Sequence, residues 1–150
     1  MVRRNPDSRQ RLALRTYVRL MRATNTMRSF AARQLSDTGL TLTQFAVLEA
    51  LYHLGPMSLT EVARKVLTTG GNLTMVVGNL EREGLVSRKC SEEDARVYIV
   101  SLTTKGTKLI AELFPKHAAA LTERIQVLAP QEQEHLGDLC RKLGQTAAED

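Results

Sequence analysis

Between Ser58 and Leu102 the hydrophobic pattern changes from a helical to a strand-like period, and that order leaves few folds open. Ser58-Leu59-Thr60-Glu61 has the S-x-x-E spacing of a capping box, which satisfies two orphan backbone donors at a helix start. Leu59, Val62, Ala63 and Val66 then recur three or four apart, so one side of a short helix is apolar. Thr68-Thr69-Gly70-Gly71-Asn72 breaks that pattern with turn and N-cap residues. A second helix, from about 70 to 84, turns Leu73, Val76, Val77 and Leu80 inward and Asn72, Thr74, Met75, Asn79 and Arg82 outward. Residues 85–90 and 96–102 are rich in β-branched side chains, and the polar run Ser91-Glu92-Glu93-Asp94-Ala95 between them reads as the tip of a two-stranded hairpin. Two short helices at a steep angle followed by a basic hairpin make a winged helix-turn-helix, a shape suited to placing one helix in a DNA groove.

The flanks are helical. The N-terminal residues to about Ser8 are charged, contain Pro6 and read as a loose arm. From 9 to 35 no Gly or Pro intervenes, and Leu14, Tyr17, Val18, Met21, Met27, Ala31 and Leu35 trace one stripe of a long helix. Arg11, Arg15, Arg19 and Arg22 give the same helix a basic face, either solvated or, through Arg15 or Arg22, at the edge of an anionic ligand's pocket. Thr41 to Gln44 repeats the capping-box spacing ahead of a helix from 42 to 53, which Gly55-Pro56 stops. Beyond the hairpin, a helix carrying Leu109, Ile110, Leu113, Phe114, Leu121, Ile125 and Leu128 contains Pro115, where a kink is expected. A last helix follows Pro130 and uses Leu136, Leu139, Cys140 and Leu143.

The expected fold is therefore mostly α with a small β wing: a winged helix-turn-helix flanked by N- and C-terminal dimerisation helices. Residues 1–40 form the arm and first dimerisation helix, 41–103 the DNA-binding domain, and 104–150 the kinked and last helices. The outer helices have apolar faces that the small core cannot cover. Large exposed patches are uncommon on monomers, so these helices are expected to pack on each other and on a second copy. Two-fold symmetry would then set two reading helices one DNA turn apart.

The net charge of +5 favours a polyanionic partner, here duplex DNA with a pseudo-palindromic site. An apolar fraction of 43% is too high for a disordered chain. Cys90 and Cys140 are far apart and form no C-x-x-C pair, which argues against a disulfide scaffold or a zinc cluster. His53, His117 and His135 lack ligand spacing, so neither metal nor cofactor is expected. No apolar run is long enough for a membrane span and no signal peptide is visible, which makes a cytoplasmic protein the default. There is no Gly-rich phosphate loop, no H-E-x-x-H and no nucleophile motif, so nothing proposes an enzyme.

Four segments carry a resemblance: Ser58-Leu59-Thr60-Glu61-Val62-Ala63; Gly71-Asn72-Leu73-Thr74; Asn79-Leu80-Glu81-Arg82-Glu83-Gly84-Leu85-Val86; and Asp94-Ala95-Arg96 leading into Leu102-Thr103-Thr104-Lys105-Gly106. Together they resemble the multiple antibiotic resistance regulator (MarR) family of bacterial transcription factors. The D-x-R and L-T-x-x-G elements are the most specific, and the likeness extends from about Tyr17 to Leu143. It implies a homodimer with interlocked outer helices, a recognition helix in the major groove, Arg96 in the minor groove and Asp94 bracing the wing. It also implies a repressor that leaves DNA when a phenolic, quinone-like or other small molecule binds, or when a thiol is oxidised. Phe114-Pro115-Lys116-His117 and the Asn79–Gly84 segment are most similar to the branch that senses quinones and related aromatics. Met75 and Gly78 depart from the family pattern, where a basic or polar residue and an acid are common, so base preference does not transfer.

The expected DNA contacts are Thr69, Gly71, Asn72, Thr74, Met75, Asn79, Arg82, Arg88, Lys89, Asp94 and Arg96. Thr69 and Gly71 sit where free backbone N–H groups favour a phosphate. Asn can bond adenine through two hydrogen bonds, and Thr or Met can touch a thymine methyl. Arg96 either enters the minor groove or pairs with Asp94, and one residue can do both in bound and free states. Candidate lining of an aromatic effector pocket is Arg15, Tyr17, Met21, Arg22, Phe45, Leu48, Tyr52, His53, Leu113 and His117, most of which serve equally well as plain core. Cys90, beside Arg88 and Lys89, is the redox candidate; Cys140 is expected to pack. Two rivals stay open: a thiol-switched repressor, and a winged-helix protein-interaction module that ignores DNA.

Overall fold

In the computed structural model, which describes residues 7–66 and 70–146, six α-helices and three short strands follow one another. Helix α1 (Ser8–Gln34) begins about where the loose arm is expected to end, with Asp7 as its cap; residues 1–6 of that arm lie outside the described residues. The Asp7 carboxylate accepts from the Gln10 N–H at 2.8 Å, and the Gln10 side chain accepts from the Asp7 N–H at 3.0 Å. A single 3-10 turn (Ser36–Thr38) leads to α2 (Leu42–Leu54), whose capping box Thr41/Gln44 forms as expected, at 2.8 and 3.1 Å. Strand β1 (Met57–Ser58) comes next, then α3 (Leu59–Val66) and α4 (Gly70–Arg82). Strands β2 (Val86–Cys90) and β3 (Tyr98–Leu102) complete the wing, and α5 (Thr104–Ile125) and α6 (Pro130–Thr146) end the fold.

The sheet has three strands in the order β1-β3-β2, all antiparallel, where the sequence suggested two. Met57 pairs with Val100 and Ser58 with Ile99. Two residues are too few to show a period, so β1 has no signature in the sequence. Strand β3 also starts at Tyr98 rather than Arg96, since Asp94 holds the residues before it in a turn.

Phe45, Val47, Leu48 and Leu51 of α2, Val62 of α3, Leu73, Val77 and Leu80 of α4, Val86 and Val100 of the sheet and Ile110 of α5 share one buried core. Of the inward set expected for the helix-turn-helix, Val62, Leu73, Val76, Val77 and Leu80 are buried, and Leu59, Ala63 and Val66 are partly buried against the same core. Helix α5 stays helical through Pro115.

The seam between α4 and α5 is closely built. Gly84, at φ 72°, ends α4, with Leu85 N–H donating to the Leu80 carbonyl at 2.9 Å and Gly84 N–H to that of Glu81 at 2.9 Å, a Schellman closure. Thr103 then caps α5, its hydroxyl accepting from Gly106 N–H at 3.0 Å and donating to the Gly84 carbonyl at 2.6 Å. The Thr103 N–H donates to the Leu85 carbonyl at 3.1 Å, and Lys105 Nζ to that of Glu83 at 2.7 Å. A Cβ on Gly106 would stand 2.0 Å from the Leu85 carbonyl oxygen, so glycine alone fits.

Candidate DNA interface and effector site

Helix α4 has one buried and one open side. Leu73, Val76, Val77 and Leu80 are buried, while Gly71, Asn72, Thr74, Met75 and Arg82 are exposed and Asn79 is half-buried. Met75 is 62% exposed, an unusual presentation for a large apolar side chain. Arg82 donates to Asn79 Oδ1 along the same face. Thr69 lies outside the described residues.

At the wing, Asp94 is the hub. Its carboxylate accepts from the Arg96 N–H at 3.0 Å and from the guanidinium at 3.1 and 3.3 Å. Its carbonyl accepts from Val97 N–H at 2.9 Å, and Val97 in turn accepts from Ser91 N–H at 2.7 Å. The guanidinium bond first, then the backbone N–H, hold the Asp94 carboxyl below its ordinary pKa. Arg96 nonetheless keeps a side chain that is 91% exposed, so the brace and the outward arginine are one arrangement.

Arg88 is placed differently from its neighbours. Its Nε and Nη2 meet Glu81 Oε2 at 2.9 and 2.7 Å, and its N–H approaches Oε1 at 3.3 Å. The pair ties α4 to β2, and the Arg88 hydrogen bond depresses the Glu81 pKa. Glu81 is the partner of Arg88 that sequence reading missed. It stands seven positions before Arg88, across a turn, where no helical or strand spacing rule connects the two. Lys89 and Cys90 are exposed at the outer end of β2, with Cys90 opposite Tyr98.

The aromatic candidates divide into two groups. Phe45 and Leu48 are wholly buried, and His117 lies against Phe45 with ring centroids 4.5 Å apart and planes at 49°. His53 meets Phe114 edge-on at 4.5 Å and Tyr52 at 5.1 Å, with Leu113 half-buried alongside on α5. Phe114, left out of the expected lining, belongs to this cluster; its ring contact with His53 crosses between helices, which one-dimensional spacing cannot show. Among the described residues His117 Nδ1 is buried with no hydrogen-bond partner, and burial pushes its pKa down against the opposing pull of Glu49. Arg15, Tyr17, Met21 and Arg22 are instead exposed on the first half of α1.

The outer helices leave an apolar surface open. Leu12, Leu14, Tyr17 and Val18 of α1 and Leu136, Leu139 and Leu143 of α6 are exposed. Cys140, expected to pack, is exposed with them, because within one chain its stripe has nothing to cover it. A groove of about 610 Å³ between α1, the end of α5 and α6 is lined by Met27, Ile125, Leu128 and Leu136 among others. No helix among the described residues is long and apolar enough to cross a membrane.

Known proteins with this arrangement are regulators. The MarR family profile matches residues 40–98. The HTH-type transcriptional regulator MhqR of Bacillus subtilis is 36% identical over 135 residues, covering 90% of this chain and 93% of its own. Among solved structures, Sco3205 of Streptomyces coelicolor, a MarR family transcriptional regulator in complex with DNA, superposes with a TM-score of 0.83 at 25% identity, over 97% of this chain and 91% of that one. BpsR of Bordetella bronchiseptica, whose DNA binding is regulated by 6-hydroxynicotinic acid, does so with a TM-score of 0.78 at 26% identity, over 87% and 98%. These relatives are transcriptional regulators rather than enzymes, and a chain with their reading helix, wing and outer helices belongs to the MarR family of DNA-binding transcriptional regulators.

Proposed function

We propose that this chain is a homodimeric repressor that leaves its operator when a small hydroxylated aromatic molecule binds at the junction of α2 and α5. The observation that carries the ligand reading is His117: its Nδ1 is buried, unpartnered and set against Phe45. A buried polar atom without a partner is expensive, and a phenolic hydroxyl or carboxylate would satisfy it. His53, Phe114 and Tyr52 add aromatic surface to the same junction. Regulation of BpsR by a hydroxylated pyridine carboxylate supports the ligand class. The exposed apolar stripes of α1 and α6 support the homodimer, since a second copy with the same stripes would cover them.

To release DNA, the ligand must bind the DNA-incompetent arrangement more tightly than the competent one. The test is a footprint on DNA flanking the chain's own gene, repeated with phenols, hydroxylated aromatic acids and quinones. At least one compound should erase the footprint with wild-type and Cys90→Ser protein alike and fail with His117→Phe. Erasure that depends on Cys90 and ignores His117 would replace ligand binding by thiol oxidation.

A further inference from the structure

The open face of α4 is chemically lopsided. Asn72, Met75, Asn79 and Arg82 fall in one line along it, with Thr74 and Gly78 beside them. No acid stands in that line, and no cation precedes Arg82. Guanine is read in the major groove chiefly by an arginine or lysine fork on O6 and N7, and cytosine by a carboxylate accepting from N4. The first turns of this helix offer neither. They offer a thioether, a hydroxyl and side-chain amides, which match the thymine 5-methyl group and the adenine N6/N7 edge. Arg82 lies seven residues beyond Met75, about 10 Å along the axis, and is engaged with Asn79, so it does not address the same base pairs.

Met75 is the feature that decides. It is 62% exposed in the free chain, where a large apolar side chain gains nothing from water. One turn further on, Gly78 leaves the helix surface bare: beyond the helix's own backbone and the adjoining residues, no described atom lies within 4 Å of the place a Cβ would occupy. A flexible apolar arm beside a flat patch lets the helix approach a groove wall closely and lay sulfur and methyl carbon against it.

We propose that Met75 reads the 5-methyl group of a thymine, and that α4 selects a half-site core of A·T pairs. The inference rests on the DNA-binding role and adds the base class that the role leaves open. Sites are selected by the full-length protein from a randomised duplex library. Each thymine of the selected core is then replaced in turn by deoxyuridine, which deletes only the methyl group. Affinities are measured with wild-type protein, Met75→Ala and Met75→Leu; all three should melt alike, because the side chain is exposed.

Expected are an A·T core and one deoxyuridine position that weakens wild-type binding roughly fourfold, the worth of one buried methyl group. Met75→Ala should lose that sensitivity and Met75→Leu should keep it. A core of G·C pairs, the absence of any methyl-sensitive position, or a deoxyuridine effect that persists in Met75→Ala would each overturn the proposal. Enrichment of no duplex at all would take away DNA binding itself, and the inference with it.

Discussion

Arg96 is the residue proposed to serve both a free and a bound state. Its guanidinium is held by Asp94 yet remains almost fully in water, so it is oriented while still open to a groove. Arg96→Ala should leave the melting temperature within about 1 °C, as exposed substitutions do, and weaken DNA binding about tenfold, with the salt slope falling by about 1. A gel-shift series across salt concentrations reads both numbers. His117 carries the opposite kind of information. Its folded pKa lies below the ordinary 6.5, so the folded chain resists a proton that the unfolded chain accepts. Stability is therefore full above about pH 6.5 and declines as pH falls through the folded pKa. Thermal melts between pH 5 and 8 should show that decline in the wild type, and His117→Phe should flatten it and add about 1 kcal/mol by removing the orphaned nitrogen. At this scale the sequence was partly legible. Asp94 and Arg96 are two residues apart and announce their pairing, whereas the Glu81–Arg88 pair and the edge contact of His53 with Phe114 depend on which elements meet, and spacing along the chain does not encode that.

Elements with a period and a cap were readable; those without were not. The Ser58/Glu61 capping box forms, with Ser58 N–H donating to the Glu61 carboxylate at 2.8 Å, and the Ser58 hydroxyl bond holds the Glu61 pKa down. Helix α3 follows it as its apolar spacing requires. Strand β1 escaped because Met57 and Ser58 acquire strand geometry only by pairing with β3. The long helix expected around Pro115 forms, with the proline inside α5 and the helix continuing past it. The L-T-x-x-G element, legible as a motif, turns out to have a mechanical reason. Thr103 caps α5 and ties it to the end of α4, and Gly106 permits the backbone contact beneath. Gly106→Ala should cost about 2–3 kcal/mol in chemical denaturation, because the obstructing atom is a carbonyl oxygen that cannot swing aside. Gly137, on α6 with open space around it, provides the comparison: there alanine should stabilise by up to about 1 kcal/mol.

For the whole molecule, the division of labour is visible in where the apolar surface goes. The residues inside the helix-turn-helix close a core with α2 and α5, while the apolar residues on the first half of α1 and on α6 remain open. A homodimer predicts a solution mass twice the 16.7 kDa of one chain by light scattering. Leu139→Glu with Leu143→Glu, which puts two carboxylates in the α6 stripe, should yield the single-chain mass and lose tight operator binding while the winged core still melts cooperatively. The outer stripes were legible as helices from their period, and the small core's failure to cover them was legible too; which surface each stripe meets was not, since period alone cannot say whether a face meets its own chain or another. The seam at the foot of α5 bears on what such a pairing can transmit. Thr103 and Lys105 grip the final carbonyls around Gly84, and Gly106 admits no spacer between the two backbones. A swivel of α5 would therefore reach α4 with little slack to absorb it, much as turning a key's bow turns its teeth.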